Sequence, residues 1–408
     1  LSRPSWPTVV TLQVTACLDG DCTEKDTAIH FRPDDGFAFV AQNGDDDNEC
    51  SFASPCVSVG RALSTLDGSA CGVAALGAGY VTMEHISVTG GTFALMGGLS
   101  SSGYIDTNNR LSNNGTLTVE GGHLFLDQVV INAVGTGSPA LTFMAPERNV
   151  EIRSSQIQRT VSSATPQDAV AASLEGAEVV VEDSSLSATV SEDVVLGTVE
   201  GLLVRSPLAS IRNVSSSVQG EASALHALSL DLTDGGEVLH CQAHLAPTGS
   251  TPGASTGLVL EMGESGSVVV DDLLFTVNME AAPETPTVRG LRASGLEGSL
   301  AAVVVRNSIF LMPSGVDATA IQFPAPQSMS ISLLGNAIYG AVDTQEAVAI
   351  SFGQSTASTI TIGNNALKNL SAGLMTDCYD EGICANYTIW ANAFSQVGSA
   401  AIDRKSVV

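Results

Sequence analysis

The stretch "VEIRSSQI" at residues 150–157 sets the frame from which the fold is read. Val150, Ile152 and Ile157 are apolar, Glu151 and Arg153 are charged, and a Ser-Ser pair interrupts them. This is strand alternation broken by a turn. With Ile152 as anchor, the frame requires an apolar residue two before it, a small or amide residue two or three after it, and an apolar residue five after it. It recurs as "VVVEDSSL" on Val181, "ASIRNVSS" on Ile211, "VLHCQAHL" on His240, "VVVDDLLF" on Val270, "VVVRNSIF" on Val305, "ISLLGNAI" on Leu333, "ITIGNNAL" on Ile362 and "YTIWANAF" on Ile389. The steps are 29, 30, 29, 30, 35, 28, 29 and 27 residues.

A unit of this length holds only short strands and cannot bury its apolar face alone. Stacking each unit on the last closes one continuous core. With an earlier coil on Leu126 in "HLFLDQVVI", the reading is an all-β, right-handed parallel β-helix of about 10–12 coils with some 27–30 residues each. At ~4.8 Å per coil this is a rod about 50 Å long. Ser154, Asp183, Asn213, Gln242, Asp272, Asn307, Asn336, Asn364 and Asn392 fall two or three residues after successive anchors. Short polar side chains of this kind tolerate left-handed backbone and bond neighbouring peptide groups, so they predict a turn ladder along one corner.

Composition agrees with a strand-rich chain. Of 408 residues, 44% are hydrophobic and only 14% are charged, and glycine reaches 40. Mean hydropathy is +0.24, enough apolar surface to offset chain entropy despite a formal charge of −27. With 43 acids against 16 Lys and Arg, nucleic acid and anionic lipid are disfavoured partners. No apolar run is long enough for a membrane span. A chain that opens on Leu1 without a signal sequence is expected to be a processed form or a fragment.

The eight cysteines include three close pairs, Cys17 with Cys22, Cys50 with Cys56 and Cys378 with Cys384. Their spacings suit short disulfide loops rather than zinc or CxxC redox motifs, which points to an oxidising, extracellular or cell-surface location. Cys71 and Cys241 remain. They lie near six coils apart, or ~28 Å, beyond the ~7 Å reach of a disulfide. The choices are buried thiols, an outward Cys241 that links chains, or Cys71 exchanging with Cys50 or Cys56. Asn114, Asn213, Asn369 and Asn386 are sequons, acceptors in a eukaryotic secretory pathway.

Two segments precede the regular coils. Residues 1–36 read as a β-hairpin, "TVVTLQVTAC" and "TAIHFRP" around "LDGD". It is the end of an upstream immunoglobulin-like domain, an extra hairpin packed on the cap, or a pair of strands for another subunit. Residues 37–408 form the β-helix domain. In "NGDDDNECSFASPCVSVGRALSTL", residues 43–66, Asp45, Asp46, Asp47 and Glu49 are candidate Ca²⁺ ligands, but consecutive acids lack the alternate spacing of a Ca²⁺ loop. The preferred reading is a solvated turn, a Cys50–Cys56 staple and a cap helix over "PCVSVGRALSTL". Pro55 would sit near its first turn, and Val57, Val59, Leu63 and Leu66 would cover the core.

The opening "FVAQNGDDDNECSFASPCVSVGRAL", then "ISVTGGTFALMGGLSSSGYIDTNN", then the "VxIxNSxI" repeats resemble the right-handed β-helix proteins of bacterial cell surfaces, within the pectin-lyase-like superfamily. The resemblance covers roughly residues 37 to 395 and implies a strand, a loop, a Pro and a short amphipathic helix capping the first coil. The cysteines flanking the loop depart from that pattern and imply a staple. Much of the family has no established activity, so the resemblance bears on fold more than function.

Outward residues just after each anchor were the natural place to seek chemistry: Arg153, Glu182, Arg212, Cys241, Asp271, Arg306, Leu334, Gly363 and Trp390. Arg153, Glu182 and Arg212 alternate in sign, which predicts a stacked ion ladder. Glu182 and Asp271 are three coils apart, about 14 Å, too far for the roughly 6.5–9.5 Å of an inverting glycosidase. A Ca²⁺-dependent lyase would need an Asp cluster and a basic residue, yet the only lysines are Lys25, Lys368 and Lys405. His226, His240 and His244 read as hydrogen-bonded structural residues. Tyr379, Tyr387 and Trp390 gather near the last coil as a candidate ligand edge, with a Cys378–Cys384 cap as the competing reading. The expectation is a noncatalytic extracellular scaffold, adhesin or filament subunit with no required cofactor and Ca²⁺ as the candidate ion. It would self-associate or bind another surface protein through the hairpin and the solenoid ends, with a glycan as a further candidate partner. The alternatives are a polysaccharide lyase or glycoside hydrolase, and a trimeric tail fibre.

Overall fold

The computed structural model describes residues 8–18, 21–31, 37–66, 70–77, 79–99, 110–135, 139–162, 168–191, 194–248, 253–279, 287–295, 300–314, 316–324, 326, 328–341, 347–353, 358–376 and 386–404. It is an all-β parallel solenoid. Among the described residues, the strands from Phe37–Ala41 onward pair in parallel with the equivalent strand of a neighbouring coil, on both sides within the column and on one side at its ends. Thr8–Leu18 and Asp21–Phe31 make a separate antiparallel hairpin, with Cys17 directly opposite Cys22.

Three sheets run along the column. The first carries the anchors in one unbroken register: Ala38, Val73, Leu95, Leu126, Ile152, Val181, Ile211, Val238, Val270, Val305, Leu333, Ile362 and Ile389. From Ala38 to Leu374, inward residues of all three sheets form one apolar cluster. Each fully buried Val, Leu or Ile contributes about 1.5–3 kcal/mol relative to exposure. Aromatic rings extend the stacking: Phe275 and Phe310 lie 6.3 Å apart, and Phe323 stacks on Phe352 at 5.3 Å.

One expected anchor is displaced. His240 is not an inward residue; Val238 occupies that register, and His240 takes the left-handed turn position with φ 54°. The neighbouring steps are therefore 27 and 32 residues rather than 29 and 30. Cys241 moves with it, from the outer face to the inner one.

The turn after the first sheet resolves into two ladders. Ser154, Asp183, Asn213, Asp272, Asn307 and Asn364 have positive φ, and their corner stays outside. The next residue points inward, where Asn336, Asn365 and Asn392 stack. Asn336 Nδ2 donates to Asn365 Oδ1 at 3.0 Å and Asn365 Nδ2 to Asn392 Oδ1 at 2.9 Å. Each Asn also donates to a carbonyl of the preceding coil, as Asn336 does to Val305 at 2.9 Å. Buried amides are tolerated because nearly every donor finds a partner. Gln242, expected in this ladder, is an exposed residue of the second sheet.

The first coil is capped by a helix at Val59–Ser64 whose N-cap is Ser58; Pro55 lies outside it. Val59 and Ala62 are buried against the core, Leu63 and Leu66 pack partly on it, and Val57 is exposed rather than covering. A disulfide joins Cys50 to Cys56, both buried. Glu84, from the next coil, accepts the Val59 and Gly60 amides at 2.9 and 2.7 Å, so a carboxylate complements the helix start.

Candidate functional site: an open groove on the third sheet

The third sheet, which closes each coil before the next anchor, has a bend that the anchor frame did not predict. Ala171, Gly201, Ala227, Gly257, Gly290, Ala320 and Ala349 fall between matched register positions on successive coils. Each is followed by a second inward residue, so alternation breaks and the strand turns. Small size is required there. A Cβ on Gly257 would meet the Phe275 ring at 2.3 Å, and one on Gly201 would meet Ser216 Oγ at 2.0 Å.

Outside this corner lies an open cleft of about 360 Å³. One wall carries Asp168, Glu200 and His226; the other carries Arg205, Ser229, Asp231, Glu261 and Arg292, with Val170, Leu203 and Val259 supplying apolar floor. Glu200 is only 9% exposed and its Oε1 lies 3.2 Å from His226 Nδ1. If that nitrogen carries the proton, Nε2 is left as the free acceptor, the arrangement by which a carboxylate orients an imidazole. Asp231 is matched in register with Arg205 on one side and Glu261 on the other. Arg205, Asp231, Glu261 and Arg292 form no ion pair among the described residues. One coil position beyond the cleft, Arg289 has a buried Nε without a hydrogen-bond partner. Burial, joined by the nearby Arg292 charge, lowers its pKa, and Asp317 opposes the shift.

The first sheet shows the opposite arrangement. Arg153 bonds Glu151 and reaches Glu182 at 3.1 Å; Arg212 lies 3.9 Å from Glu182 and bonds Glu237; Arg306 bonds Asp271 at 2.8 Å. The expected ion ladder is therefore present and longer than the three residues that announced it. A shallow depression of about 570 Å³ over Arg153, Glu182, Arg212 and Glu237 is lined by charges that already satisfy one another.

The other candidates are dispersed. Cys241 is a free thiol, 1% exposed, bonded to the Leu239 carbonyl at 3.2 Å; burial raises its pKa to about 11. An outward Cys241 linking chains is excluded by that inward position. The backbone of Cys71 lies opposite Phe93, its side chain outside the described set. Asp46 is occupied in the cap: burial works against its charge, but bonds from Ser58 Oγ at 2.8 Å, Ser58 N and Val57 N, with the Arg61 charge, hold its pKa below the ordinary value. Asp45 accepts the Asp47 amide at 3.0 Å. Among the described residues, no three His, Cys, Asp or Glu side chains gather as a metal site, Glu49 and Asp47 included.

Of the aromatic edge, Tyr387 and Trp390 face opposite sides of their strand. Tyr387 matches inward Ile360, lies edge-on to Phe352 at 6.0 Å, and burial raises its pKa to about 12. Trp390 matches Gly363 on the opposite face and is 48% exposed. Tyr379, Cys378 and Cys384 fall outside the described residues. The three histidines are each bonded: His226 to Glu200, His240 to Asp272 at 2.9 Å and His244 to Thr276 at 2.8 Å. No protein-family model, curated protein or solved structure matches the chain.

Proposed function

We propose that this chain is a noncatalytic extracellular scaffold of the adhesin or surface-appendage kind, which recognises a partner in the groove rather than transforming it. The observation that carries the reading is the contrast in charge pairing. The long register makes a stiff column, the ladder face neutralises its own charges, and the groove keeps Arg205, Asp231, Glu261 and Arg292 unpaired. Unpaired charges on a rigid surface are ready to bond a ligand at small ordering cost. The Glu200–His226 pair joins an orienter to a base, but among the described residues no hydroxyl or thiol is bonded to it as a nucleophile, and the Cys241 thiol is buried elsewhere.

A polysaccharide lyase or glycoside hydrolase is the second reading, favoured by the Glu200–His226 pair facing an axial groove that also holds Asp231 and Glu261. One assay separates the two. The protein is incubated with a panel of neutral and acidic glycans, with and without Ca²⁺, and both retention and depolymerisation are measured. Retention without cleavage, weakened at least tenfold by Asp231→Asn with Glu261→Gln, is the expected result. Cleavage lost in Glu200→Gln and His226→Ala would replace the scaffold with the enzyme.

A further inference from the structure

The outer face of the second sheet changes character halfway along the column. Two columns of side chains point outward on each coil. Over four middle coils they are polar: Gln156 and Gln158, then Ser185 and Ser187, then Ser215 and Ser217, then Gln242 and His244, whereas coils before them place Val81 and Val130 in the first column. From the next coil onward, in the same register, they become Leu274 and Thr276, Ile309 and Leu311, Ala337 and Tyr339, and Ala366 and Lys368. Ile309, Leu311 and Tyr339 are 38%, 42% and 39% exposed. The His244–Thr276 bond marks the border. Nothing in the fold requires this switch, since the inward residues of the strands from Leu274 onward, Phe275, Phe310, Ile338 and Leu367, are apolar like Ile157 and Leu186 before them.

We infer that this half-face is where a second copy of the chain docks, with the twofold axis parallel to the column. The inference rests on the scaffold reading. Two features commit the occupant. The first is charge: a chain with 43 acids and a net −27 repels its own copies over most of its surface, but these four coils present no Asp or Glu in either column. The second is size. A twofold along the column sets each coil against the same coil of the partner and exchanges the two columns. The Tyr339 ring of one copy then meets Ala337 of the other, the Lys368 stem meets Ala366, and Ile309 meets Leu311. Large faces small at Tyr339 and Lys368, two aliphatic chains meet at Ile309 and Leu311, and each pairing occurs twice, as an isologous contact requires. Three exposed apolar side chains per copy make a small patch, so the contact is a weak, concentration-dependent one.

Sedimentation of the intact chain over a wide concentration range tests it, with Leu311→Glu and Tyr339→Glu as separate variants. The expected result is a reversible dimer in the wild type, weakened at least tenfold by either variant, with unchanged circular dichroism and melting because both positions face out. Mixing Ala337→Cys with Tyr339→Cys chains under mild oxidant should yield a cross-linked dimer, which an antiparallel arrangement would not favour. Dimers that ignore both Glu variants would overturn the inference while leaving the scaffold reading standing. A wild type that stays monomeric at high concentration would also overturn it, and glycan retention without cleavage would then still support the scaffold reading.

Discussion

Two faces of one column, built by the same stacking rule, treat charge in opposite ways. On the first sheet, Arg153, Glu182, Arg212 and Glu237 alternate, and each finds its counter-ion on the same or a neighbouring coil. On the third sheet, Asp231 and Glu261 sit side by side with like charge, and Arg205, though the register neighbour of Asp231, closes no ion pair with it. Parallel stacking places register partners about 4.8 Å apart, so like neighbours are a standing cost that a simple change of sequence would remove. A fold selected for rigidity alone has no reason to keep that cost. The ladder face is therefore read as structure and the groove as the surface kept for something else.

The largest effect belongs to the bend that makes the groove. Gly257→Ala would set a Cβ 2.3 Å from the Phe275 ring and 2.7 Å from the Gly290 carbonyl. Neither neighbour can yield easily in a packed core, and overpacking of this kind costs about 3 kcal/mol. Thermal unfolding should show a marked loss, partly restored by Phe275→Leu, whereas Ser210→Ala on the ladder face should change little. An unchanged melting temperature in Gly257→Ala would show that the bend is not size-limited.

Next comes the weak point of the ladder itself. Asp127 opens that outward column beside Arg153 but is only 4% exposed, next to an outer apolar cluster of Phe125, Met96 and Leu76. Burial raises its pKa to about 6, against the lowering influence of Arg153. The sign follows from linkage: the folded state favours the neutral acid, so stability is fullest below pH 3.8 and is lost as pH climbs through 6. Asp127→Asn should therefore stabilise the protein at pH 8 by up to about 3 kcal/mol and make almost no difference at pH 4. A variant less stable than wild type at pH 8 would mean that the charged carboxylate is held favourably.

How far the sequence disclosed these two faces depends on which repeat is followed. The anchor frame from Ile152 gave the solenoid, the corner and the alternating Arg153, Glu182 and Arg212. It slipped only at "VLHCQAHL", where an exposed His240 in the left-handed turn was mistaken for an inward residue, because the frame tolerated a small residue at either of two places. The groove follows a second frame about thirty residues long: "AASLE" at 171, "GLLVR" at 201, "ALSLD" at 227, "GLVLE" at 257 and "GLRAS" at 290. Its fifth position holds Glu175, Arg205, Asp231, Glu261 and Ser294, which share one register column. A small residue before Leu was the legible signal. The Glu200–His226 contact follows the same step, each residue standing just before the small residue of its coil, but the Ile152 anchor frame does not reach these positions. The role of Asp46 was not legible either, because the bonds that occupy it come from Val57 and Ser58, on the far side of the disulfide loop.

The smallest effect is also the sharpest, because its sign should differ between the faces. Glu182→Lys would leave three cations in a row, Arg153, Lys and Arg212, and lose contacts of 3.1 and 3.9 Å, a destabilisation of about 1 kcal/mol or less for half-exposed pairs. Glu261→Lys does the reverse: it puts an ammonium beside Asp231 and removes a like-charge neighbour, a gain of some tenths of a kcal/mol. Calorimetry at low salt should therefore show the melting temperature falling in the first variant and rising in the second. Both shifts should shrink in ~1 M salt, where the screening length is about 3 Å. A fall in both would mean that Glu261 already serves the fold, and the groove would lose its claim to charges held in reserve for a ligand. A rise in Glu261→Lys together with weaker glycan retention would tie the stability forgone to the binding gained at one side chain.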